Sequence, residues 1–309
     1  MDSEYKKLLK SQGYGFLGEH SALKICGWTK RSLVGKGVCY KEQFYGIRCH
    51  RCVQMSVTVN FCDMNCLHCW RKRHNEKFNV IDDPDEILDK IFMAQYKKIA
   101  GYLGNAHVDI GKFEEAKVPK HIAISLTGET LYYPKLDELL KKAHKRGYTS
   151  FIVTNGSQPK ILRKMVLPTQ LYISINAPDE KLFLKVNRPM KKTAWMDVLR
   201  SLDVMKEIKK KTRTAIRITC IKGINMVDPE GYAKLITKAS PHFVEVKAYM
   251  LLGESCNRLV TENMPPHNEV KKFGLEIAKH CGYRLIDEHV PSRVVLLMKK
   301  DFKGRIMKF

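Results

Sequence analysis

The sequence has no uninterrupted apolar run that approaches the roughly 18–20 residues of a membrane-spanning helix. Its first ten residues, MDSEYKKLLK, are polar, so we expect no signal peptide and no membrane partner. Fixed-period repeats and low-complexity linkers are also absent, which favours one folded domain over a chain of small modules. These absences together predict a cytoplasmic protein.

Acidic residues are few: 32 Asp and Glu stand against 55 Lys and Arg in 309 residues, a formal net charge of +23. Hydrophobic residues make up 44% of the chain, which excludes a wholly disordered protein and allows a sizeable core. So strong a positive charge favours nucleic acid as a partner, because neutralising phosphates releases counterions. The alternative is a solvated basic surface that only keeps the protein in solution.

The ten cysteines are concentrated near the beginning of the chain, where seven lie between Cys26 and Cys69. A small secreted domain would join such cysteines in disulfides, but this chain is large and has no export signal. In a reducing compartment the same clustering indicates metal ligation. Cys220, Cys256 and Cys281 are scattered, and we expect them to be small buried hydrophobic residues.

Past the cysteine-rich segment, short apolar runs alternate with amphipathic stretches. The predicted strands are residues 55–61, 122–126, 151–154, 171–175, 216–219 and 243–248. The predicted helices are residues 84–100, 134–145, 158–165, 193–210, 229–239 and 266–279. Repeated strand–helix units with nearly continuous apolar strands predict a parallel sheet that is covered on both faces. We therefore expect an α/β fold, a partial (βα)6 TIM-like barrel.

The remaining segments complete the predicted organisation. Residues 1–54 are expected to form an N-terminal cysteine-rich extension, and residues 55–309 the barrel. Residues 101–119 are long and contain glycine, which predicts a surface loop. The barrel is expected to end in an antiparallel pair of strands at residues 284–288 and 293–298.

Polar segments follow the predicted strands directly, at the point where each strand ends. In parallel βα barrels the active site is built from the loops at these carboxyl ends. The candidates for binding a cofactor there are Thr127, Gly128, Glu129, Asn155, Ser174 and Asn176. Ordinary turn chemistry is the alternative for Asn155 and its neighbours. Arg217 and Lys247 lie on predicted strands and are candidates for a carboxylate or phosphate contact, because an inward charge needs a partner.

Two interpretations compete for the cysteines between residues 49 and 69. Cys49, Cys52, Cys66 and Cys69 have the C-x2-C…C-x2-C spacing of a zinc ribbon, whose four thiolates close a structural site. Cys62, Cys66 and Cys69 instead have the spacing C-x3-C-x2-C, and three thiolates can hold three irons of a [4Fe–4S] cluster. The second interpretation is favoured because it uses Cys62 and places the metal on a loop that follows a barrel strand.

The segment Cys62-Asp-Met-Asn-Cys66-Leu-His-Cys69 resembles the CxxxCxxC signature of radical S-adenosylmethionine (radical SAM) enzymes. Thr127-Gly128-Glu129 stands where such enzymes carry a Gly-Gly-Glu-like turn. Further segments narrow the resemblance to the tRNA 4-demethylwyosine synthases. These are residues 39–46, His50-Arg-Cys52, Cys69-Trp-Arg-Lys, Asn187-Arg-Pro, Ile221-Lys-Gly-Ile-Asn and Glu245-Val-Lys-Ala-Tyr. The resemblance covers residues 26–266, most of the chain.

The resemblance implies two [4Fe–4S] clusters. The three signature cysteines would hold the first, which binds S-adenosyl-L-methionine at its open iron and cleaves it to a 5′-deoxyadenosyl radical. The Thr-Gly-Glu turn would contact the amino group of this cosubstrate. Cys26, Cys39 and Cys52 would hold the second cluster. Cys49 departs from the family pattern, where Ser or Ala is expected, and is either a spare thiol or a fourth ligand.

The resemblance also implies a reaction. It joins two carbons of pyruvate to N1-methylguanosine-37 of tRNA-Phe, forms the tricyclic base 4-demethylwyosine and releases carbon dioxide. An unactivated methyl C–H bond needs a radical to abstract its hydrogen, which no general base could do at ordinary pH. Pyruvate must also be held, which a lysine imine or an open cluster iron could do. Lys41 follows Cys39 by two residues and is the catalytic candidate for this imine or contact.

Two basic stretches are candidates for RNA contact, with a solvated helix end as the alternative for each. They are Arg71, Lys72 and Arg73, and Lys209, Lys210, Lys211 and Arg213. Trp70, Phe44 or Tyr45 could stack on an exposed base. No flavodoxin-like domain is apparent, so we expect a separate flavodoxin- or ferredoxin-like electron donor. We also expect a monomer. The rival hypotheses are another radical SAM enzyme, such as a glycyl-radical activase, and a non-catalytic zinc-ribbon RNA-binding protein.

Overall fold

The computed structural model describes residues 1–72, 75–76 and 78–309. In this part of the chain ten strands form one sheet in the order β1-β2-β3-β4-β5-β6-β7-β8-β10-β9. The strands are β1 (Gly15–Phe16), β2 (Ala22–Leu23), β3 (Cys52–Ser56), β4 (His121–Ile124), β5 (Thr149–Thr154), β6 (Gln170–Ser174), β7 (Arg213–Cys220), β8 (Phe243–Ala248), β9 (Arg284–His289) and β10 (Val294–Met298). Strands β3 to β8 are parallel neighbours. The flanking strands pair antiparallel at both ends of this parallel block.

The described part of the chain contains eleven α-helices, and those between consecutive parallel strands cross the outside of the sheet. The eleven helices are α1 (Ser3–Ser11), α2 (Gly27–Leu33), α3 (Tyr40–Tyr45), α4 (Pro84–Ile99), α5 (Ile110–Ala116), α6 (Leu136–Lys145), α7 (Pro159–Lys164), α8 (Glu180–Asn187), α9 (Ala194–Ile208), α10 (Pro229–Ala239) and α11 (His267–Cys281). Proline occupies the first turn of α4, α7 and α10, where its missing N–H leaves no bond unmade. Among the described residues, no helix has the length and apolar character needed to cross a bilayer.

The two faces of the sheet pack against different parts of the chain. Alternate residues of a strand point to opposite faces, so on β8 Val244 and Val246 join the core beneath the connecting helices. Phe243 faces inward, where it packs with Phe44 and Tyr45 of α3. Because protein covers both faces, the parallel strands appear in the sequence as nearly continuous apolar runs.

A buried ion pair lies on the inner face. The Glu245 carboxylate accepts a hydrogen bond from Arg217 Nε at 3.0 Å, from Tyr45 Oη at 2.8 Å and from Tyr40 Oη at 3.1 Å. Arg217 also donates to Tyr40 Oη at 2.9 Å. Glu245 is fully buried, so its charge depends entirely on these partners. Arg217 therefore already has a carboxylate partner within the protein.

The predicted fold class is confirmed, with differences at the first third of the chain. All six predicted parallel strands and the final antiparallel pair are present, but β3 begins at Cys52 and ends at Ser56, so the predicted boundary between residues 54 and 55 falls inside a strand. The predicted surface loop at residues 101–119 contains α5. Asp109 caps this helix by accepting the Lys112 N–H at 3.0 Å, and Phe113 is buried beneath it. A helix of seven residues, about two turns, is too short for hydrophobic periodicity to reveal.

The Glu245→Gln variant should be strongly destabilised, because it removes a fully buried carboxylate and leaves the half-buried Arg217 guanidinium without its counter-charge. Removing one partner of a buried ion pair costs about 3–5 kcal/mol. Urea unfolding of both proteins measures this loss. The matched control is Glu86→Gln, whose pairing with Lys90 is exposed and should change stability by less than about 1 kcal/mol. Equal effects of the two substitutions would contradict this account of the interior.

Candidate functional site

The loop that follows β3 carries three cysteines, Cys62, Cys66 and Cys69, and the protein holds this loop firmly. The Asn65 N–H donates to Asn187 O at 3.0 Å, where α8 ends. The Arg258 guanidinium reaches the carbonyl oxygens of Leu67 and Cys69 from the other side. The three thiols are thus positioned at the carboxyl edge of the sheet, as the signature predicts.

Two side-chain amides approach the thiols of this loop. Asn155 Nδ2 lies 3.9 Å from Cys62 Sγ, and Asn187 Nδ2 lies 3.7 Å from Cys66 Sγ. Amide donors near cluster sulfurs tune the reduction potential of an iron–sulfur centre. Three soft thiolates on one loop, with such donors beside them, fit a [4Fe–4S] cluster. Sequence reasoning proposed Asn155 for a cofactor contact but gave no separate role to Asn187, which it quoted only within a family motif.

The turn after β4 packs directly against the cysteine loop. Gly128 has φ +75°, and a Cβ at this position would lie 1.8 Å from Thr58 O. The next residue, Glu129, donates its N–H to Phe61 O at 2.9 Å. Glycine is required here for two reasons, a left-handed backbone and a close approach of two loops.

Glu129 links three loops through its carboxylate. The carboxylate accepts Thr154 Oγ1 at 2.6 Å, Asn155 N at 2.8 Å and Leu131 N at 3.2 Å. Burial, with the nearby Asp63 charge, raises the pKa of Glu129 to about 7. These hydrogen bonds occupy both carboxylate oxygens with protein donors. The contact of Glu129 with a cosubstrate amino group stays a prediction.

Asp63 and Tyr132 join this arrangement, and sequence reasoning missed both. Asp63 accepts Asn155 Nδ2 at 2.8 Å and Tyr132 Oη at 2.9 Å. Asp63 could have been found, since a carboxylate inside the signature loop is a clear signal. No pattern marks Tyr132. The candidates at the next strand ends have other surroundings: Asn176 is buried and accepts Thr219 N at 3.0 Å, while Ser174 is half-buried at the end of β6.

A second set of thiols comes from three separate segments. Cys26 directly precedes α2, Cys39 precedes α3, and Cys52 begins β3. Burial raises the pKa of Cys39 to about 12, and the Cys26 charge beside it adds to this shift. Three soft sulfur donors close enough to interact fit an iron–sulfur cluster. The fourth nearby thiol, Cys49, is buried, and its Sγ accepts the Cys39 N–H at 3.5 Å.

The zinc-ribbon alternative does not form. Cys49 and Cys52 lie at the amino end of β3, whereas Cys66 and Cys69 lie beyond its carboxyl end. Within the described ranges, no three His, Cys, Asp or Glu side chains converge closely enough to hold a single metal ion. A tetrahedral site requires such convergence, while a cluster of four irons takes each thiolate on a different iron.

In the part of the chain that the structure describes, Lys41 and Lys247 reach the interior of the barrel near the second set of thiols. Lys41 Nζ lies 4.8 Å from the ring centroid of Tyr172 and 5.9 Å from that of Phe151. Burial lowers the pKa of Lys41, and the Arg217 charge lowers it further. Lys247 Nζ donates to Ser292 O at 3.2 Å, and burial lowers its pKa to about 8.

Comparison with known proteins agrees with this geometry. A family model described as the radical SAM superfamily matches residues 56–236, and one described as wyosine base formation matches residues 238–299. The chain is 47% identical to the S-adenosyl-L-methionine-dependent tRNA 4-demethylwyosine synthase of Pyrococcus abyssi (strain GE5 / Orsay), over 97% of this chain and 90% of the relative. This chain belongs to the tRNA 4-demethylwyosine synthase family of radical SAM enzymes.

Two other family members extend the agreement over nearly the whole chain. The synthase of Methanocaldococcus jannaschii is 40% identical over 97% of both proteins. A solved structure of TYW1 with a lysine–pyruvate adduct bound is 38% identical, covers 99% of both chains and superposes with a TM-score of 0.90. The family assignment predicted from the signature and its flanking motifs is confirmed, and the partial TIM-like barrel with it.

The first basic stretch predicted to contact RNA is not fully exposed to solvent. Arg71 is buried, donates to Leu126 O at 3.3 Å and packs on the Trp70 ring, so it is not exposed to a phosphate. Lys72 is exposed, and Arg73 lies outside the described residues. Phe44 and Tyr45 are fully buried in the inner core and cannot stack on a base.

The second basic stretch lies at the amino edge of the sheet, opposite the carboxyl edge where the active site is expected. Lys209, Lys210 and Lys211 lie between the end of α9 and the beginning of β7, hence at the amino edge. Arg213 donates to Gly304 O and Arg305 O, both at 2.8 Å, and so holds the C-terminal segment. A crossover helix returns the chain to the amino ends of parallel strands, which excludes this stretch from the active-site mouth.

The Gly128→Ala variant should lose both stability and affinity for S-adenosyl-L-methionine. The left-handed backbone costs an alanine about 1–2 kcal/mol, and relieving the overlap with Thr58 O adds about 1–3 kcal/mol. Thermal melting and equilibrium binding of the cosubstrate to the reconstituted enzyme check this. Gly223→Ala is the control, because Gly223 has φ +76° and open space around it. If both variants behave alike, close packing of the two loops is not required.

Proposed function

We propose that this chain condenses N1-methylguanosine beside the anticodon of tRNA-Phe with two carbons of pyruvate to form 4-demethylwyosine. Loss of the third carbon as carbon dioxide makes the enzyme a carbon–carbon lyase. One observation carries the proposal: Lys41, a half-buried lysine in the barrel, lies close enough to interact with Cys39 and Cys52 of the second set of thiols. A glycyl-radical activase has no need for that combination, or for a net charge of +23.

In the proposed radical half of the site, Cys62, Cys66 and Cys69 hold one [4Fe–4S] cluster. A cluster bound there would supply the electron that cleaves S-adenosyl-L-methionine to methionine and a 5′-deoxyadenosyl radical. The protein's own contribution is to hold the loop rigid and to place Asn155 and Asn187 beside the sulfurs. Glu129 keeps Asn155 in position, since it accepts the Asn155 N–H while the Asn155 side chain donates to Asp63.

In the proposed pyruvate half of the site, Lys41 forms an imine with the keto carbon. The amine attacks that carbon, a C–N bond forms and water leaves, so that pyruvate is held covalently in the barrel. Two features support Lys41: it reaches the interior between two aromatic rings, and its charge interacts with both Cys39 and Cys52. The lysine–pyruvate adduct of the TYW1 structure supports an imine in this family.

The remaining parts of the proposal concern partners. A separate flavodoxin- or ferredoxin-like protein supplies electrons, and the enzyme acts as a cytoplasmic monomer on tRNA. The support for a separate donor is architectural. Within the described part of the chain, all ten strands belong to the single sheet that forms the barrel.

Borohydride reduction in the presence of pyruvate labelled at its second and third carbons should fix the label on Lys41, because reduction converts an imine into a stable amine. The Lys41→Arg variant should lose this label and all transfer of labelled carbon to N1-methylguanosine-containing tRNA. Peptide mass spectrometry locates the label on the protein, and nucleoside analysis follows it into the base.

Lys247→Arg is the matched control, since Lys247 is the other lysine of the interior and should leave the trapping at Lys41 intact. Label on Lys247 instead of Lys41 would show that Lys247 forms the imine and that the proposed role of Lys41 is wrong. S-Adenosyl-L-methionine cleavage without any labelled tRNA from the wild-type enzyme would contradict the proposed reaction as a whole.

A further inference from the structure

A basic groove lies on the outer surface between α7 and α9, beside the carboxyl edge of the sheet. Its volume is about 730 Å³, and its cationic lining residues are Lys160, Arg163, Lys164, Lys191 and Arg200. We propose that this basic groove binds the phosphate backbone of the tRNA strand that carries the target base. The proposal rests on the proposed function, which makes tRNA the substrate, and adds where the RNA lies.

The charges in the basic groove are not balanced by the protein. Arg200 pairs with Asp197 at 3.1 Å, and Arg163 pairs with Glu207 at 2.9 Å. The three lysines, Lys160, Lys164 and Lys191, are exposed. Among the described residues, no carboxylate lies within the 4.0 Å of an ion pair to any of these three. An anionic polymer with regularly spaced charges is the ligand that such a row of lysines suits.

The groove is continuous with the loop that carries the signature cysteines. Gln158, at its upper end, donates to Tyr132 Oη at 2.5 Å, and Tyr132 Oη donates to Asp63 at 2.9 Å. Lys191 Nζ lies 5.4 Å from the centroid of the Tyr132 ring. An RNA strand that follows the groove from its lysines toward Gln158 therefore arrives directly at the radical half of the site.

The segment around Lys191 is joined to the signature loop by the backbone as well. Pro189 forms a β-bridge with Met64, and Met190 N donates to Asp63 O at 2.9 Å. RNA bound at Lys191 would thus contact a segment whose backbone is hydrogen-bonded to the loop that carries Cys62. This continuity favours RNA over an acidic electron-donor protein, because the target nucleotide must reach this mouth while a donor can approach a cluster from another side.

Aromatic rings near the upper end of the groove suit an unstacked base. Phe61 and Tyr132 are both half-buried, and their rings meet edge to face with centroids 4.6 Å apart. Enzymes that modify a base take it out of the stack, and an aromatic surface can receive it. The groove therefore offers charge along its length and ring faces where it meets the site.

The test compares two triple variants that remove the same charge at opposite edges of the sheet. One is Lys160→Ala/Lys164→Ala/Lys191→Ala, in the groove, and the other is Lys209→Ala/Lys210→Ala/Lys211→Ala, at the amino edge. The full chain with reconstituted clusters is titrated with tRNA-Phe that contains N1-methylguanosine, at several salt concentrations. Melting temperature and iron content verify that each variant is folded and loaded.

The groove variant should bind this tRNA at least about tenfold more weakly, and its slope of log affinity against log salt should fall by about 2–3. The amino-edge variant should stay within about twofold of wild type. Wild-type affinity in the groove variant would overturn the proposal while leaving the proposed function intact. A groove variant that keeps its tRNA affinity but is no longer reduced by flavodoxin would assign the groove to the electron donor instead. If the wild-type enzyme does not bind this tRNA, both proposals are wrong.

Discussion

The common direction of six strands is the constraint on which the rest of this structure depends. Parallel strands need crossover connections, and these bring every strand's carboxyl end to the same edge. The signature loop after β3, Gly128 after β4 and Asn155 after β5 therefore meet without any special device. Hydrogen bonds through Glu129 and Asp63 then hold the meeting loops at fixed distances. The carboxyl edge is rigid because the loops after β3, β4 and β5 pack against and hydrogen-bond to one another.

The second set of thiols depends on the inner face of the same sheet. The segment before β3 enters the barrel through α3, which brings Lys41 in with Cys39. Among the described residues, Lys41, Arg217 and Lys247 all lie close enough to interact with the buried carboxylate of Glu245. Buried cations need anionic partners, and thiolates together with a small carboxylic acid would provide them. The charge balance thus agrees with the chemistry proposed for this half of the site.

The sequence predicted the parts of the fold that local patterns encode. Continuous apolar runs marked all six parallel strands, and the spacing of Cys62, Cys66 and Cys69 marked the signature loop. It could not reveal α2 and α3, which are six or seven residues long and owe their stability to tertiary packing. The burial of Arg71 was equally hidden, because it depends on the Leu126 carbonyl and the Tyr14 ring, which are distant in the sequence. The misplaced stretch at Lys209–Lys211 is different: its position between a helix and the next strand was sufficient to assign it to the amino edge.

Iron content tests the central claim, two separate sets of cluster ligands in one barrel, most directly. After anaerobic reconstitution the wild-type protein should hold about eight irons, and each triple Cys→Ala variant, of Cys62, Cys66 and Cys69 or of Cys26, Cys39 and Cys52, about four. Electron paramagnetic resonance of the reduced protein should show a signal that S-adenosyl-L-methionine perturbs only when the signature cysteines are intact. About four irons in the wild-type protein, or zinc without iron, would contradict the account.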